Sequence, residues 1–375
     1  MPDIRIPADL LPADGRFGSG PSKVRPEALA ALAGGGTDWM GTSHRQRPVK
    51  AVVASVRQGL AALLRLPDGY EVLLGNGGTT AFWDAAVFGL IESRSQHLAF
   101  GEFSAKFAAA VAAAPHLETP TVIDSSPGTH PQARSEAGVD LYALTHNETS
   151  TGVAMPLHRP EGVTAAQALV AVDATSGAGA IEFDAREVDV YYLAPQKALG
   201  SDGGLWLAAC SPAAVERIGA VARSGRWRPP SLDLVIALDN SRLDQTYNTP
   251  ALATLFLLDQ QLQWLNGQGG LAWAVERSAH SAATIYGWAD ASDYASPFVA
   301  EAAQRSPVVA TIDLEDSTVD AGVLSNVLRA NGIVDTEAYR KLGRNQVRIG
   351  MFPAVDPDDV AALTACIDHV VEALA

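Results

Sequence analysis

Six short apolar runs organise the first two-thirds of the chain. They are "YEVLLG" from Tyr70, "QHLAFG" from Gln96, "VDLYALTHN" from Val139, "ALVAVDAT" from Ala168, "VDVYYLAP" from Val188 and "GLWLAAC" from Gly204. Continuous apolar runs of this length, set between helical patterns, predict strands buried on both faces. The helical patterns are "TTAFWDAAVFGLIES" from Thr79 and "SAKFAAAVAAA" from Ser104. Together they predict an α/β fold with a mostly parallel sheet covered by helices, the last of the six strands returning antiparallel. A long helix, "PALATLFLLDQQLQWLNGQGG", ends at a stop signal over Asn266 to Gly270. Beyond it, strands "VVATIDL" and "QVRIGMF" flank the helix "TVDAGVLSNVLRANG", and the chain closes on a helix opening at "DPDDV". The expectation is a large domain over 15–268 and a smaller α+β C-terminal domain over 269–375, with residues 1–14 packing on the latter.

Composition narrows the function. At 375 residues and 47% hydrophobic content the chain can bury a large core. A formal charge of −15 argues against general nucleic-acid binding, which needs a basic surface. No run of about 18 apolar residues is present to span a membrane. The N-terminus carries Asp and Pro where a secretory leader needs a basic start, and Cys210 and Cys366 show no pairing pattern. A cytoplasmic location is expected. Against the acidic background two basic clusters stand out: His44, Arg45, Arg47 and Lys50, and Arg340, Lys341, Arg344 and Arg348. Either alone reads as solvated surface.

Ligands of parallel α/β sheets collect at the carboxyl ends of strands, and four of these ends carry unusual residues. Gly77 and Gly78 precede Thr79 and Thr80 at a helix start, which suits a phosphate as well as it suits an ordinary capped turn. Phe103 lies just past a strand, where an aromatic can stack on a planar ring or cover the core. Asn147, Glu148 and Thr149 crowd a third end. Asp173 ends the fourth, and the next apolar strand ends at Gln196 and Lys197 beside Gly200, Gly203 and Gly204. A buried carboxylate and a buried amine both demand partners. Pyridoxal 5'-phosphate satisfies the set: an aldehyde for the lysine, a ring nitrogen for the aspartate and a phosphate for the helix start.

"NETSTGV", "APQKALGSDGG", "YNTPALATLFLLDQQLQWLNGQGG" and "SHR" resemble the phosphoserine aminotransferases, a family of fold-type I pyridoxal-phosphate enzymes, and the likeness runs from about Gly18 in "FGSGPSKV" to the final helix. The resemblance implies an aspartate-aminotransferase-like fold and transfer of the amino group of L-glutamate to 3-phosphohydroxypyruvate. It implies that Lys197 links to the cofactor and moves the proton, that Asp173 pairs with the ring nitrogen, and that Phe103 stacks on the ring. Thr79, Thr80 and Gln196 would hold the phosphate, and Thr149 would lie beside the ring oxygen. Asn248 and Thr249 would reach the phosphate of the neighbouring subunit, making a homodimer necessary. His44 and Arg45 would bind substrate, and Arg348 with Arg340 would clamp its α-carboxylate, Arg344 being a substitute for Arg340. The chain departs from the family pattern at Thr79 and Thr80, where an Ala-Arg pair is common, and at Tyr339, where a His is common.

Four other readings stand beside this one. Another aminotransferase of the same fold, such as an alanine–glyoxylate aminotransferase, differs in its substrate arginines. A cysteine desulfurase needs a reactive cysteine on a mobile loop, and neither cysteine is so placed. A non-catalytic, cofactor-binding regulator would carry an added basic segment. A nicotinamide-dependent dehydrogenase is disfavoured by the missing glycine fingerprint.

Overall fold

The structure is a computed structural model that describes residues 3–374. Its strands are β1 (Glu71–Asn76), β2 (Ser95–Ala99), β3 (Thr121–Asp124), β4 (Leu141–Thr145), β5 (Asn147–Glu148), β6 (Val153–Ala154), β7 (Leu169–Asp173), β8 (Val190–Leu193), β9 (Leu205–Cys210), β10 (Ala295–Pro297), β11 (Val309–Leu314) and β12 (Gln346–Gly350). Its α-helices are α1 (Pro26–Gly35), α2 (Arg47–Leu63), α3 (Thr79–Gly89), α4 (Glu102–Ala112), α5 (Pro212–Arg223), α6 (Leu234–Arg242), α7 (Leu252–Gln268), α8 (Gly270–Ala291), α9 (Ala321–Ala330) and α10 (Pro357–Leu374).

Seven strands form the central sheet in the order β1-β9-β8-β7-β4-β2-β3. Strand β9 runs antiparallel to both neighbours, and the remaining pairs are parallel. Alternate residues of each strand enter different cores, which is why the sequence shows unbroken apolar runs. Leu74, Leu144, Val172 and Tyr191 face α2 and α7 in one cluster. Leu73, Ala143, Ala171 and Tyr192 face α3 to α6 in the other. The edge strand β3 alternates half-buried and exposed positions, so it gave no apolar run to read.

The C-terminal part packs the antiparallel sheet β10-β11-β12 against α8, α9 and α10. Ile6 and Phe17 belong to this core, with Ile4, Leu10 and Leu11 packed against it. Helix α8 was not expected from sequence. The glycines read as a stop are instead the joint between two helices, with Gly269 and Gly270 at φ +125° and +69°.

The ends of the sheet differ in what they hold. At the amino end of β4, Asp140 accepts hydrogen bonds from the backbone N–H groups of Glu92, Ser93 and Arg94 (2.9, 2.7 and 2.8 Å) and pairs with Arg217. That carboxylate ties loops together. At the carboxyl ends, Asp173 lies opposite Thr145 and Tyr192 in the parallel register, and the chemistry-bearing residues gather there.

Candidate active site

A cavity of 180 Å³ opens at these carboxyl ends, lined by Gly78, Thr79, Thr80, Trp83, Phe103, Thr145, Asn147, Thr149, Asp173, Thr175, Ser176, Gln196 and Lys197. Nine of the residues singled out from sequence therefore meet in one place: Gly78, Thr79, Thr80, Phe103, Asn147, Thr149, Asp173, Gln196 and Lys197.

Lys197 is buried, and its ammonium donates to the Thr149 hydroxyl at 2.9 Å. Thr149 passes its own proton to Ser176 Oγ (2.9 Å), and Ser176 donates to the Asn147 carbonyl (3.0 Å). Burial pushes the Lys197 amine down to about 8; the nearby carboxylates of Asp173 and Glu148 resist that fall, and Arg348 adds to it. At neutral pH about a tenth of such an amine is unprotonated, roughly 200 to 300 times more than for an exposed lysine. Attack on an aldehyde needs that neutral form. The rate of pyridoxal phosphate uptake, followed by visible absorbance in a stopped-flow instrument, is thus expected to fall about tenfold per pH unit below pH 8 and to level off above it.

The roof over Lys197 comes from the N-terminal segment. Ser22 donates from its hydroxyl to the Lys197 carbonyl (2.6 Å) and from its N–H to the Gln196 carbonyl (2.9 Å). Gly20, at φ +133°, passes so close that a Cβ there would sit 2.6 Å from Lys197 Cε. These contacts span some 175 residues of sequence and left no local signal.

Asp173 Oδ1 accepts from the Thr175 N–H (3.0 Å) and hydroxyl (2.6 Å). Its Oδ2 receives no hydrogen bond from the described residues. Burial raises its pKa, a rise that the two Thr175 bonds and Lys197 oppose. A carboxylate with one free oxygen facing a cavity fits a protonated ring nitrogen.

At the other end, α3 begins without a side-chain cap, and the N–H groups of Thr79 and Thr80 face no backbone acceptor. Gln196 adds a side-chain amide whose NH₂ donates to none of the described residues and can therefore donate to an anion, its oxygen being buried without a partner. One detail differs from expectation. The Thr175 hydroxyl spends its proton on Asp173, so its 2.7 Å contact with Thr79 Oγ1 requires Thr79 to donate. Thr79 is left with its backbone N–H for an anion, and Thr80 keeps its hydroxyl free.

The Phe103 ring centroid lies 4.7 Å from Lys197 Nζ, with Tyr339 6.0 Å away on the small-sheet side. Arg348, from β12, donates to the Thr149 carbonyl at 3.3 Å and sits 5.3 Å from the Tyr339 ring centroid. Its Nε is buried without a partner, and no carboxylate pairs with it among the described residues. Burial lowers its pKa. An unpaired, largely desolvated guanidinium is costly unless an anion joins it. Arg344, by contrast, is engaged: its fork holds Asp313 through bonds of 2.9 and 2.6 Å. Arg340 is exposed and makes no side-chain hydrogen bond to the described residues.

His44, Arg45, Asn248 and Thr249 do not line the cavity. They form a separate group: His44 Nδ1 lies 3.1 Å from Thr249 Oγ1, Arg45 donates to Gln245 (3.2 Å), and Asn76 donates to the Thr249 carbonyl (3.1 Å). Both cysteines are buried, their thiols pushed up to about 12 for Cys210 and about 11 for Cys366, which removes the desulfurase reading.

Residues 17–338 match the family described as Aminotransferase class-V. The chain belongs to the class-V aminotransferases. A phosphoserine aminotransferase of Rhodococcus jostii is 60% identical over 369 residues, covering 98% of each chain, and one of Rhodococcus opacus matches equally. Among solved structures, a phosphoserine aminotransferase from Cytophaga hutchinsonii superposes with a TM-score of 0.84 at 24% identity, over 95% of this chain and 99% of that one. Another, from Bacillus circulans subsp. alkalophilus, gives 0.83 at 22% identity over 96% and 99%. These two establish the shared fold.

As a class-V aminotransferase the chain depends on pyridoxal phosphate, and its residues fit that group on their own evidence. The free Asp173 oxygen, the depressed Lys197 amine, and the uncapped start of α3 with the free NH₂ of Gln196 each call for one part of it. Trp83, Thr145, Thr175 and Ser176 complete the cavity and were not singled out from sequence.

Proposed function

We propose that this aminotransferase moves the amino group of L-glutamate to 3-phosphohydroxypyruvate, giving O-phospho-L-serine and 2-oxoglutarate, as a cytoplasmic homodimer in serine biosynthesis. The observation that carries the reading is the half-buried Arg348 guanidinium beside the Lys197–Asp173 cavity, with a buried, unpartnered Nε and no carboxylate partner among the described residues, in a chain that shares 60% identity over full length with relatives of that name. Both substrates carry two anionic groups, one of them a carboxylate beside the reacting carbon that such a fork can hold.

When bound, pyridoxal phosphate carries the amino group between the two half-reactions and draws electrons from the substrate's α-carbon. The chain's own groups do the rest. Lys197 would hold the group through its Nζ and, as a free amine, would carry the proton away from the substrate's α-carbon. The Thr149 hydroxyl holds Nζ in place, accepting its hydrogen bond. Asp173 Oδ2 keeps a proton on the ring nitrogen. Phe103 covers one ring face, while Thr80, Gln196 and the backbone N–H groups of Thr79 and Thr80 hold the phosphate. Arg348 fixes the α-carboxylate so that the α-proton points at Nζ. Arg340, exposed and without a side-chain hydrogen bond to the described residues, assists it.

The His44, Arg45, Asn248 and Thr249 group is assigned to the site of a second copy. Thr249 and His44 touch each other and lie outside their own cavity, and Met40, Leu243 and Tyr247 expose apolar surface nearby. Mixing the inactive variants Lys197→Ala and Arg45→Ala, with subunit exchange, is expected to restore about a quarter of wild-type activity, because half the dimers then hold one intact site. A site built within one chain regains none. The division near 268–269 is proposed as the hinge between a cofactor-binding part and a part carrying Arg348.

Turnover decides the substrate. The reading predicts that phosphohydroxypyruvate is used at least about 100-fold better, by kcat/KM, than glyoxylate. Preference for glyoxylate would assign the chain to another branch of the class.

A further inference from the structure

Glu148 is a fully buried carboxylate beside the cavity that none of these roles employs. Its Oε2 accepts from the N–H groups of Phe103 (3.1 Å) and Ser104 (2.9 Å) and from the Ser104 hydroxyl (2.9 Å). Its Oε1 accepts from the N–H (3.1 Å) and hydroxyl (2.7 Å) of Ser150, and that hydroxyl accepts in turn from the Glu102 N–H (3.0 Å). Five donors meet the carboxylate, and no lysine or arginine among the described residues pairs with it.

Helix capping alone does not explain this arrangement. A Ser or Thr at position 101 would cap α4 locally without burying a charge. The chain instead has Gly101, where a Cβ would sit 2.3 Å from Glu148 Cγ, so the distant carboxylate displaces the local cap. What the distant carboxylate adds is a tie between two segments. One carries Phe103; the other carries Thr149, the partner of Lys197.

We propose that Glu148 is a positioning residue of the aminotransferase site: its carboxylate clamps the first turn of α4 to the turn after β5, setting the Phe103 ring and the Thr149 hydroxyl at a fixed separation across the cofactor. The proposal rests on the reading of the cavity as the pyridoxal phosphate site. Glu148 also supplies negative charge. It faces Lys197 after β8, Asp173 at the end of β7 and Arg348 on β12, with Glu102 and Lys106 of α4 and Lys341 lying on the exposed side. Its charge favours the protonated forms of Lys197 and Arg348 and disfavours ionised Asp173.

The test compares Glu148→Gln with Asp140→Asn, a buried carboxylate in a similar amide cradle at the far end of the sheet. Four quantities are measured: the melting temperature of the cofactor-free chain, its affinity for pyridoxal phosphate, the pH midpoint of the visible absorbance of the loaded protein, and kcat with KM for glutamate. Glu148→Gln turns an amide NH₂ toward existing donors and removes an anion. It is expected to weaken cofactor binding about tenfold, lower kcat about tenfold with KM within about twofold, and move the midpoint down by about half to one pH unit. Both variants are expected to lower the melting temperature, and Asp140→Asn is expected to leave the other three unchanged. Ser104→Ala and Ser150→Ala, which each remove one donor and keep the charge, should lower cofactor affinity and kcat by smaller factors; they carry the test if Glu148→Gln does not fold. Wild-type affinity, midpoint and kcat in Glu148→Gln, or in both serine variants should it not fold, overturn the proposal and leave Glu148 a helix cap. A wild-type chain that takes up no cofactor overturns the reading of the cavity and this proposal with it.

Discussion

Lys197→Ala is expected to abolish both turnover and the visible absorbance of the loaded protein. No other lysine can substitute: the sequence holds Lys23, Lys50, Lys106, Lys197 and Lys341, and only Lys197 lines the cavity among the described residues. The loss should be at least about 10⁴-fold in kcat, the upper end of what a positioned proton carrier contributes, since the same amine also holds the cofactor. The expected phenotype is specific. The variant should still fold, because removing a buried amine whose pKa is depressed to about 8 relieves a desolvation cost at neutral pH. That cost is present in the cofactor-free wild type below pH 8 and fades as pH rises toward the ordinary lysine value, so the variant's gain in melting temperature should fade over the same interval. Far-UV circular dichroism, thermal melts at two pH values and an activity assay check all three statements.

Arg348→Ala is expected to cost about 3 kcal/mol of transition-state binding, or roughly 100-fold in kcat/KM for glutamate, the size of two charge-assisted hydrogen bonds. Lysine at 348 should recover little of it, since a single ammonium cannot grip both carboxylate oxygens. Arg344→Ala should change kcat/KM by less than about threefold, because its guanidinium already holds Asp313 on the protein's flank. Steady-state kinetics on the three variants separates the arginines, which sequence alone left open. A large loss at Arg344 and none at Arg348 would reverse the assignment.

The parts of the fold that could be read from sequence are those where one physical demand dominates. Strands β4, β7 and β8 are buried on both faces, so their apolar runs are continuous and end abruptly at residues with chemistry. Asp173 and Lys197 were visible for that reason: polar groups stand out at the end of a run such as "VDVYYLAP". Helix α8 and strand β3 were not visible. Two glycines at positive φ joined α7 to α8 where a stop was expected, and β3, half exposed at the sheet edge, kept no unbroken apolar pattern.

The cavity shows the same division. Residues adjacent to strand ends were found, but Gly20 and Ser22 reach Lys197 from the far N-terminus, and Ser176 reaches Thr149 from 27 residues away. Thr79 illustrates a subtler limit. Its place at the start of α3 was evident, whereas the direction of its hydroxyl depends on where the single proton of Thr175 goes. Glu148 was in view within "HNETSTG", yet its function depends on Gly101 and Ser104, more than forty residues earlier.

The account depends on one amine and one carboxylate gripping opposite sides of the same small ring. Borohydride reduction of the protein loaded with pyridoxal phosphate, followed by peptide mass mapping of wild type and Asp173→Asn, tests it most directly. The prediction is a single pyridoxyl adduct on Lys197, with the adduct retained but the absorbance spectrum shifted in Asp173→Asn. Reduction that labels Lys23, Lys50, Lys106 or Lys341 while sparing Lys197, or an Asp173→Asn spectrum identical to wild type, would contradict it.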